Sequence, residues 1–341
     1  CIICSAGNSG SSGLTRPKVA KNVISVANSE NLRTELYSSA DNIDQIESSS
    51  SRGPAADGRV KPDITAPGTA IAGGRSGTDV LFGNIDAAHR WSVGTSHAAP
   101  QVAGAAALFT QFWKNTHGGT NPSPAVIKAA LINGAVDMNS ATSTTPIPNG
   151  DEGWGRINLK NVLNTGVPIK YLDQTAALST VGDQYTFIGV TATTSRAVRV
   201  TLVWTDPPGI SDPALVNNLD LAVTVGTTTY KGNVFSSGVS VSGGTADTIN
   251  NVENVFLPAG IAAGTPLTVV VGAAALNGNG ILGNADPTDQ HFALVIFNAT
   301  EASTPAVVAA GATLAAENCA PGNGAIDPGE TVTVNLALKN S

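Results

Sequence analysis

The hydrophobic rhythm of the chain changes near residue 167. Before that point, short apolar runs alternate with glycine-rich turns and helical stretches. Cys1–Cys4 and Asn22–Ala27 read as strands, separated by the turn AGNSGSSG. From His97 to about Trp113 the residues are apolar on nearly all sides, which predicts a helix buried in the middle of a domain. A second helix is predicted with Ser123 as N-cap and Pro124 at its first position, where the missing N–H does no harm. It runs through AVIKAALIN and stops at Gly134. Strands alternating with helices predict an α/β unit, a mainly parallel sheet with helices on both faces.

Beyond Val167 the runs YTFIGV, VRVTLVW, LDLAVTV, LTVVV and FALVIF follow one another with turn residues between them. Val198, Val200, Leu202 and Trp204 share one face, opposite Arg199 and Thr201. Leu219, Leu221, Val223 and Val225 oppose Asp220, Ala222 and Thr224. A period of two predicts half-buried antiparallel strands, hence an antiparallel β-sandwich or jelly-roll domain. From about Ala302 the Ala/Thr/Pro/Val composition reads as a linker. The tail NGAIDPGETVTVNLALKN reads as a turn and the first strand of a further, truncated β module. The expected division is 1–167, 168–300 and 301–341.

Composition narrows the function classes. Of 341 residues 42% are hydrophobic and 13% charged, so a sizeable core is available and wholesale disorder is excluded. A net charge of -7 without a basic run gives no reason to expect nucleic acid. No segment is apolar for long enough to span a bilayer. Low charge with abundant Gly, Ser, Thr, Asn and Ala suits a surface outside the cell, so a secreted protein is expected. Three cysteines make no disulfide framework. Cys1 and Cys4, on opposite faces of a strand, read as core residues. The chain begins with cysteine and its one methionine is Met138, so sequence upstream of Cys1 is expected.

The strongest local signal is GTSHAAPQVAG, residues 94–104. Ser96 stands where a tight Gly-Thr turn enters the buried helix. A helix N-terminus offers unpaired N–H groups and partial positive charge, both useful to a developing oxyanion. Ala98 and Ala99 allow close packing there, and Pro100 is tolerated in the first turn.

That string resembles the active-serine motif GTSMAxPxVAG of the subtilase family, with His97 in place of the usual Met. Three more segments agree in order: CSAGNSG at 4–10, SSRGPAADGRVKPDITAPGT at 50–69 and GWGRINLKNVL at 153–163. The β-rich half, with LVWTDPPG, LVNNLDLAVT and NNVENVFLP, resembles the jelly-roll domain attached to the alkaline-protease branch of that family. The resemblance implies a serine endopeptidase acting on protein or peptide substrates. Ser96 would be its nucleophile and Asn8 its oxyanion-hole side chain. Ser5, Ala6 and Gly7 would line one wall of the pocket for the residue before the scissile bond. It also implies structural calcium as the one cofactor to consider, with Asp206, Asn218, Asp220 and Glu253 as oxygen ligands of suitable type. A monomer is expected.

A serine hydroxyl needs a base, and the base an orienting carboxylate. The family order is Asp, His, Ser, so both partners belong upstream of Asn8, where only seven residues stand and neither type occurs. His97 is adjacent to Ser96 on the helix and does not face it. His89, His117 and His291 are placed in a strand or loop, past a helix end and in the β-rich half. Asp57 and Asp63 read as structural. The chain alone is therefore expected to be inactive. An α/β-hydrolase elbow is unsuited because Ala98 stands where its last glycine belongs. Sedolisin-type proteases carry an Asp in the oxyanion hole, whereas Asn8 is an amide. A non-catalytic secreted binding or structural protein on the same scaffold is the alternative from a different class.

Overall fold

The computed structural model describes residues 1–77, 82–138, 145–210, 212–302, 307–318 and 320–340. Residues 1–301 form one compact unit and 302–341 a second.

In the first unit, strands β1 (Ile3–Ser5), β2 (Ile24–Ser29) and β3 (Ile64–Pro67) pair in parallel in that order. The register sets Ile3 beside Ile24 and Val26 beside Ile64. β2 is buried throughout, as expected of the central strand of a parallel sheet. A hairpin follows, β4 (Ile71–Gly74) with β5 (His89–Ser92), and β5 leads into helix α1 (Thr95–Thr116). Helices α2 (Pro124–Asn133) and α3 (Lys160–Leu163) complete this part.

α2 begins and ends where sequence predicts, with the Ser123 hydroxyl accepting the Val126 N–H at 3.1 Å. Ala125 to Asn133 are all buried, and each large aliphatic among them contributes about 1.5–3 kcal/mol by leaving water. α1 differs from expectation. Ala98, Val102, Ala105, Phe109 and Trp113 are buried, but Ala103, Gly104, Ala107 and Leu108 lie exposed. The covered face turns to β1–β3 and, through Phe109 and Trp113, to Tyr171. β1 is likewise an edge strand, pairing with β2 alone. Cys1 is therefore exposed and Cys4 half-buried, neither a core residue, and both are free thiols.

Two antiparallel sheets follow. Their strands are β6 (Ile169–Leu178), β7 (Gln184–Thr191), β8 (Val198–Val203), β9 (Asn218–Val225), β10 (Thr228–Ser236), β11 (Val239–Ser242), β12 (Val252–Leu257), β13 (Pro266–Ala275), β14 (Gln290–Phe297) and β15 (Ala299–Glu301). One sheet runs β11-β10-β9-β13-β7-β15 and the other β12-β8-β14-β6. Val200, Leu202 and Trp204 meet Leu219, Leu221 and Val271 in the core between them.

The six-stranded sheet has the half-buried alternation the pattern predicts. The four-stranded sheet is buried on both faces. Its second face carries Val203, Val252, Phe256 and Val295 into the same core as Ile132, Trp154 and Val162. Thr201, on that face, is fully buried and donates to Asn254 Oδ1 at 2.7 Å while accepting from Asn133 Nδ2 at 3.0 Å. A polar residue thus sits inside because both its hydrogen-bonding roles are filled.

Asp63 fixes the start of β3. Its carboxylate takes Lys61 Nζ at 2.6 Å, Lys128 Nζ at 2.8 Å and the Ser25 N–H at 2.7 Å, all in the interior. Burial alone would raise its pKa, yet the Lys128 and Lys61 ammonium groups outweigh burial and hold it below the ordinary value.

In the second unit β16 (Val307–Glu317) pairs antiparallel with β17 (Val332–Asn340). The stretch whose composition reads as linker is thus largely strand, because Ala and Thr suffice where a partner supplies the ladder.

Candidate active site

Three segments far apart in sequence meet at the first turn of α1. Gly94 precedes the helix at φ +146°, a conformation that suits glycine. A Cβ there would sit 3.0 Å from Asn8 Nδ2, so its absence also admits the Asn8 amide. Gly68, in the turn after β3, accepts the Gly94 N–H at 3.0 Å. Ser96 is exposed at the second residue of the helix. Its N–H has no acceptor among the described residues, as expected of a first-turn amide.

Asn8 lies in the turn after β1, and its orientation is settled by Thr95. The Thr95 N–H donates to Asn8 Oδ1 at 2.9 Å and the Thr95 hydroxyl donates to the same oxygen at 2.8 Å. The Thr95 hydroxyl in turn accepts the Gly7 N–H at 3.1 Å. A backbone N–H can only donate, so the amide oxygen must face Thr95 and Nδ2 is turned away as a free donor. Asn8 thereby caps α1 from a remote segment, since Gly94 has no side chain with which to do so. Thr95, which orients Asn8, is a residue that sequence reasoning passed over. Its place beside Ser96 in the motif is the signal that could have marked it.

The structure brings Asn8 and Gly7 to Thr95 and Ser96, with Ser5 and Ala6 leading in from β1. The histidines stand elsewhere. His97 Nε2 is 2.8 Å from Ser92 Oγ, on β5. His89 pairs with Asp86 at 2.9 Å, and His117 stacks on Trp113 with centroids 3.7 Å apart. His291 lies in β14. None has a hydrogen bond to Ser96.

The four residues considered for calcium are held in different ways, and Asn218 Oδ1 is buried without a hydrogen-bond partner. Both oxygens of Asp206 are committed, to Lys21 Nζ and the Val216 N–H on one and the Asn217 N–H on the other. Asn218 Nδ2 reaches Asp220 at 3.3 Å. Glu253 is buried, with Oε2 accepting the Leu221 N–H at 2.7 Å and Oε1 without a partner. Burial pushes its carboxyl well above the ordinary value, the Leu221 bond opposing and Asp247 and Asp220 adding to the rise. Among the described residues no three His, Cys, Asp or Glu side chains converge as a metal site. No helix there is long and apolar enough to cross a membrane.

Comparison with known proteins places this geometry in context. Residues 1–155 match the model of the Subtilase family. The chain is 32% identical over 233 residues to the serine protease/ABC transporter B family protein tagA of Dictyostelium discoideum, covering 59% of this chain and 13% of that protein. It is 31% identical over 287 residues to tagD of the same organism, covering 65% and 16%. Similarity to the serine protease AprX of Bacillus subtilis is 36% over 143 residues, covering 39% and 30%. The chain thus spans well under half the length of these relatives.

Proposed function

Since residues 1–155 belong to the subtilase family, we propose that this chain carries the nucleophile and oxyanion-binding half of a serine endopeptidase. The observation that carries the reading is the clamp of Thr95 on Asn8, which leaves Asn8 Nδ2 and the Ser96 N–H as free donors at the first turn of one helix. Ser96 Oγ attacks the scissile carbonyl, whose oxygen takes negative charge and is bound by those two donors. The base that takes the Ser96 proton returns it to the leaving nitrogen, so collapse expels a neutral amine and leaves an acyl-enzyme on Ser96, which water hydrolyses. Loss of one such side-chain donor costs about 10²–10³ in turnover, a magnitude established on a member of this family.

The proton of Ser96 needs a base, and among the described residues none of the four histidines has a hydrogen bond to Ser96. We assign the base and its carboxylate to sequence outside these 341 residues. The 341-residue chain is inactive by itself on this reading. The β-rich part is assigned as a jelly-roll domain, and low charge with small polar residues suits an extracellular enzyme.

A fluorophosphonate probe tests the assignment. The protein containing this chain, expressed with whatever precedes and follows it in its gene, should label at Ser96, and Ser96→Ala should remove the label. The isolated chain should label weakly or not at all. Strong labelling of the isolated chain would reveal a base inside it, and absence of labelling in the longer protein would favour a non-catalytic scaffold.

A further inference from the structure

Resting on the endopeptidase reading, the geometry beside Gly7 identifies a substrate class. The resemblance to the subtilase family assigns the backbone of Ser5–Gly7 as the wall along which the side chain on the acyl side of the scissile bond would lie. A Cβ built on Gly7 would fall 2.8 Å from Lys18 Nζ and 2.9 Å from Ser51 Oγ. An ammonium and a hydroxyl therefore lie directly over the Gly7 Cα. Gly7 has φ +112°, a conformation that suits glycine, and its lack of a side chain is what admits both groups.

Neither group is saturated. Among the described residues the one hydrogen bond of Lys18 Nζ is to Thr15 Oγ1 at 3.3 Å, and it has no carboxylate partner. Glu47, the one acid in the adjoining 47–52 segment, accepts the Ser49 N–H at 2.9 Å and the Ser48 hydroxyl at 3.2 Å. Arg52, next to Ser51, pairs with Asp151 at 3.4 Å. Ser51 Oγ accepts the Ser9 N–H at 3.0 Å, which leaves its own proton free to donate.

We propose that Lys18 gives this site a preference for an acidic residue immediately before the scissile bond. A carboxylate reaching along the wall gains a charge-assisted hydrogen bond from an ammonium that has no counter-ion. A large apolar side chain in the same place would cover that ammonium without pairing it, which penalises the wrong substrate as well as favouring the right one.

The test is a cleavage-site profile of the protein containing this chain on a mixed peptide library, followed by kcat/KM for matched peptides with Glu, Gln or Leu at that position. Wild type should favour Glu over Gln by about tenfold, the scale of one charge-assisted bond. Lys18→Met should bring the ratio near unity, and Lys18→Glu should invert it towards Lys and Arg. Added salt should weaken the wild-type preference only slightly, because a half-buried pair is screened much less than an exposed one. Fluorophosphonate labelling of Ser96 is read on the same samples. Labelling with an apolar preference that Lys18→Met leaves unchanged would overturn the assignment of Lys18 and leave the endopeptidase reading standing. No labelling and no cleavage would overturn both.

Discussion

Replacing Thr95 by Val removes the Asn8 clamp while keeping the shape of the site. Thr95 is fully buried, and its hydroxyl both donates to Asn8 Oδ1 and accepts the Gly7 N–H. Valine has the same branching, so no cavity opens and the loss is confined to those two bonds. Each is worth about 1 kcal/mol, and a Gly7 N–H left without an acceptor keeps the total near ~2 kcal/mol. The 301-residue unit has an unfolding entropy of about 0.6 kcal/mol/K at ~2.1 cal/mol/K per residue, so the melting temperature should fall by ~3 °C. Calorimetry on the 341-residue chain measures this directly, and Thr95→Ser should recover most of it. In the complete enzyme the Thr95 N–H still holds Asn8 at 2.9 Å, so the amide stays correctly turned but more loosely held. Turnover should drop about tenfold with KM nearly unchanged, because the bond to the oxyanion exists only in the transition state. A valine variant with wild-type melting and wild-type turnover would refute the clamp.

Two further perturbations probe the surroundings. In Gly68→Ala the new Cβ would run into Asn28 Oδ1 and would lie 2.6 Å from Gly94 O and 2.9 Å from Ala98 N. Because backbone stands on two sides, we expect a loss of roughly 2–3 kcal/mol in denaturant unfolding; an unshifted midpoint would show that the turn is free to move. Glu253 tests pH dependence. Its folded pKa is raised, so the stability it contributes is complete below the unfolded carboxyl range and is lost as pH rises through the folded value. Glu253→Gln should therefore melt like wild type near pH 4 and above it near pH 8. Destabilisation by Gln at pH 8 would mean that the carboxylate is ionised and holds a partner.

What could be read along the chain was what local sequence determines. Ser123, Pro124 and the apolar run behind them specify α2 without help, and the glycine–threonine–serine turn specifies where Ser96 stands. The part that was not legible depends on neighbours remote in sequence. The alternation in β8 places Arg199 and Thr201 on a solvent face, but α2 covers that face, and Asn133 supplies the hydrogen bond that makes a buried Thr201 tolerable. Trp154 and Phe256 meet edge to face at 6.2 Å although the texture changes between them. The change near residue 167 is therefore a change in strand pairing, whereas the packing continues across it. Cys1 and Cys4 look like core residues by composition; their exposure follows from β1 being an edge strand, which composition does not encode.

The same contacts decide why the isolated chain should be silent. On the proposed reading, inactivity would come from a disordered site or from a missing base, and the contacts around Ser96 favour the second. Ser96 sits on a 22-residue helix, Asn8 is tied to that helix by three hydrogen bonds through Thr95 and Gly7, and the Gly94 turn is bonded to Gly68 behind it. β3, which carries Gly68 at its end, is anchored by Asp63 to Lys128 of α2, and Asn133 at the far end of α2 is bonded to the four-stranded sheet. The donors are thus held by the whole first unit, which is what oxyanion stabilisation requires, since donors that must reorganise during reaction lose most of their effect. A base presented to Ser96 would meet a half-site already in place. On the proposed reading, a proton acceptor supplied from outside the chain, and not ordering of the nucleophile, is what Ser96 would need in order to react.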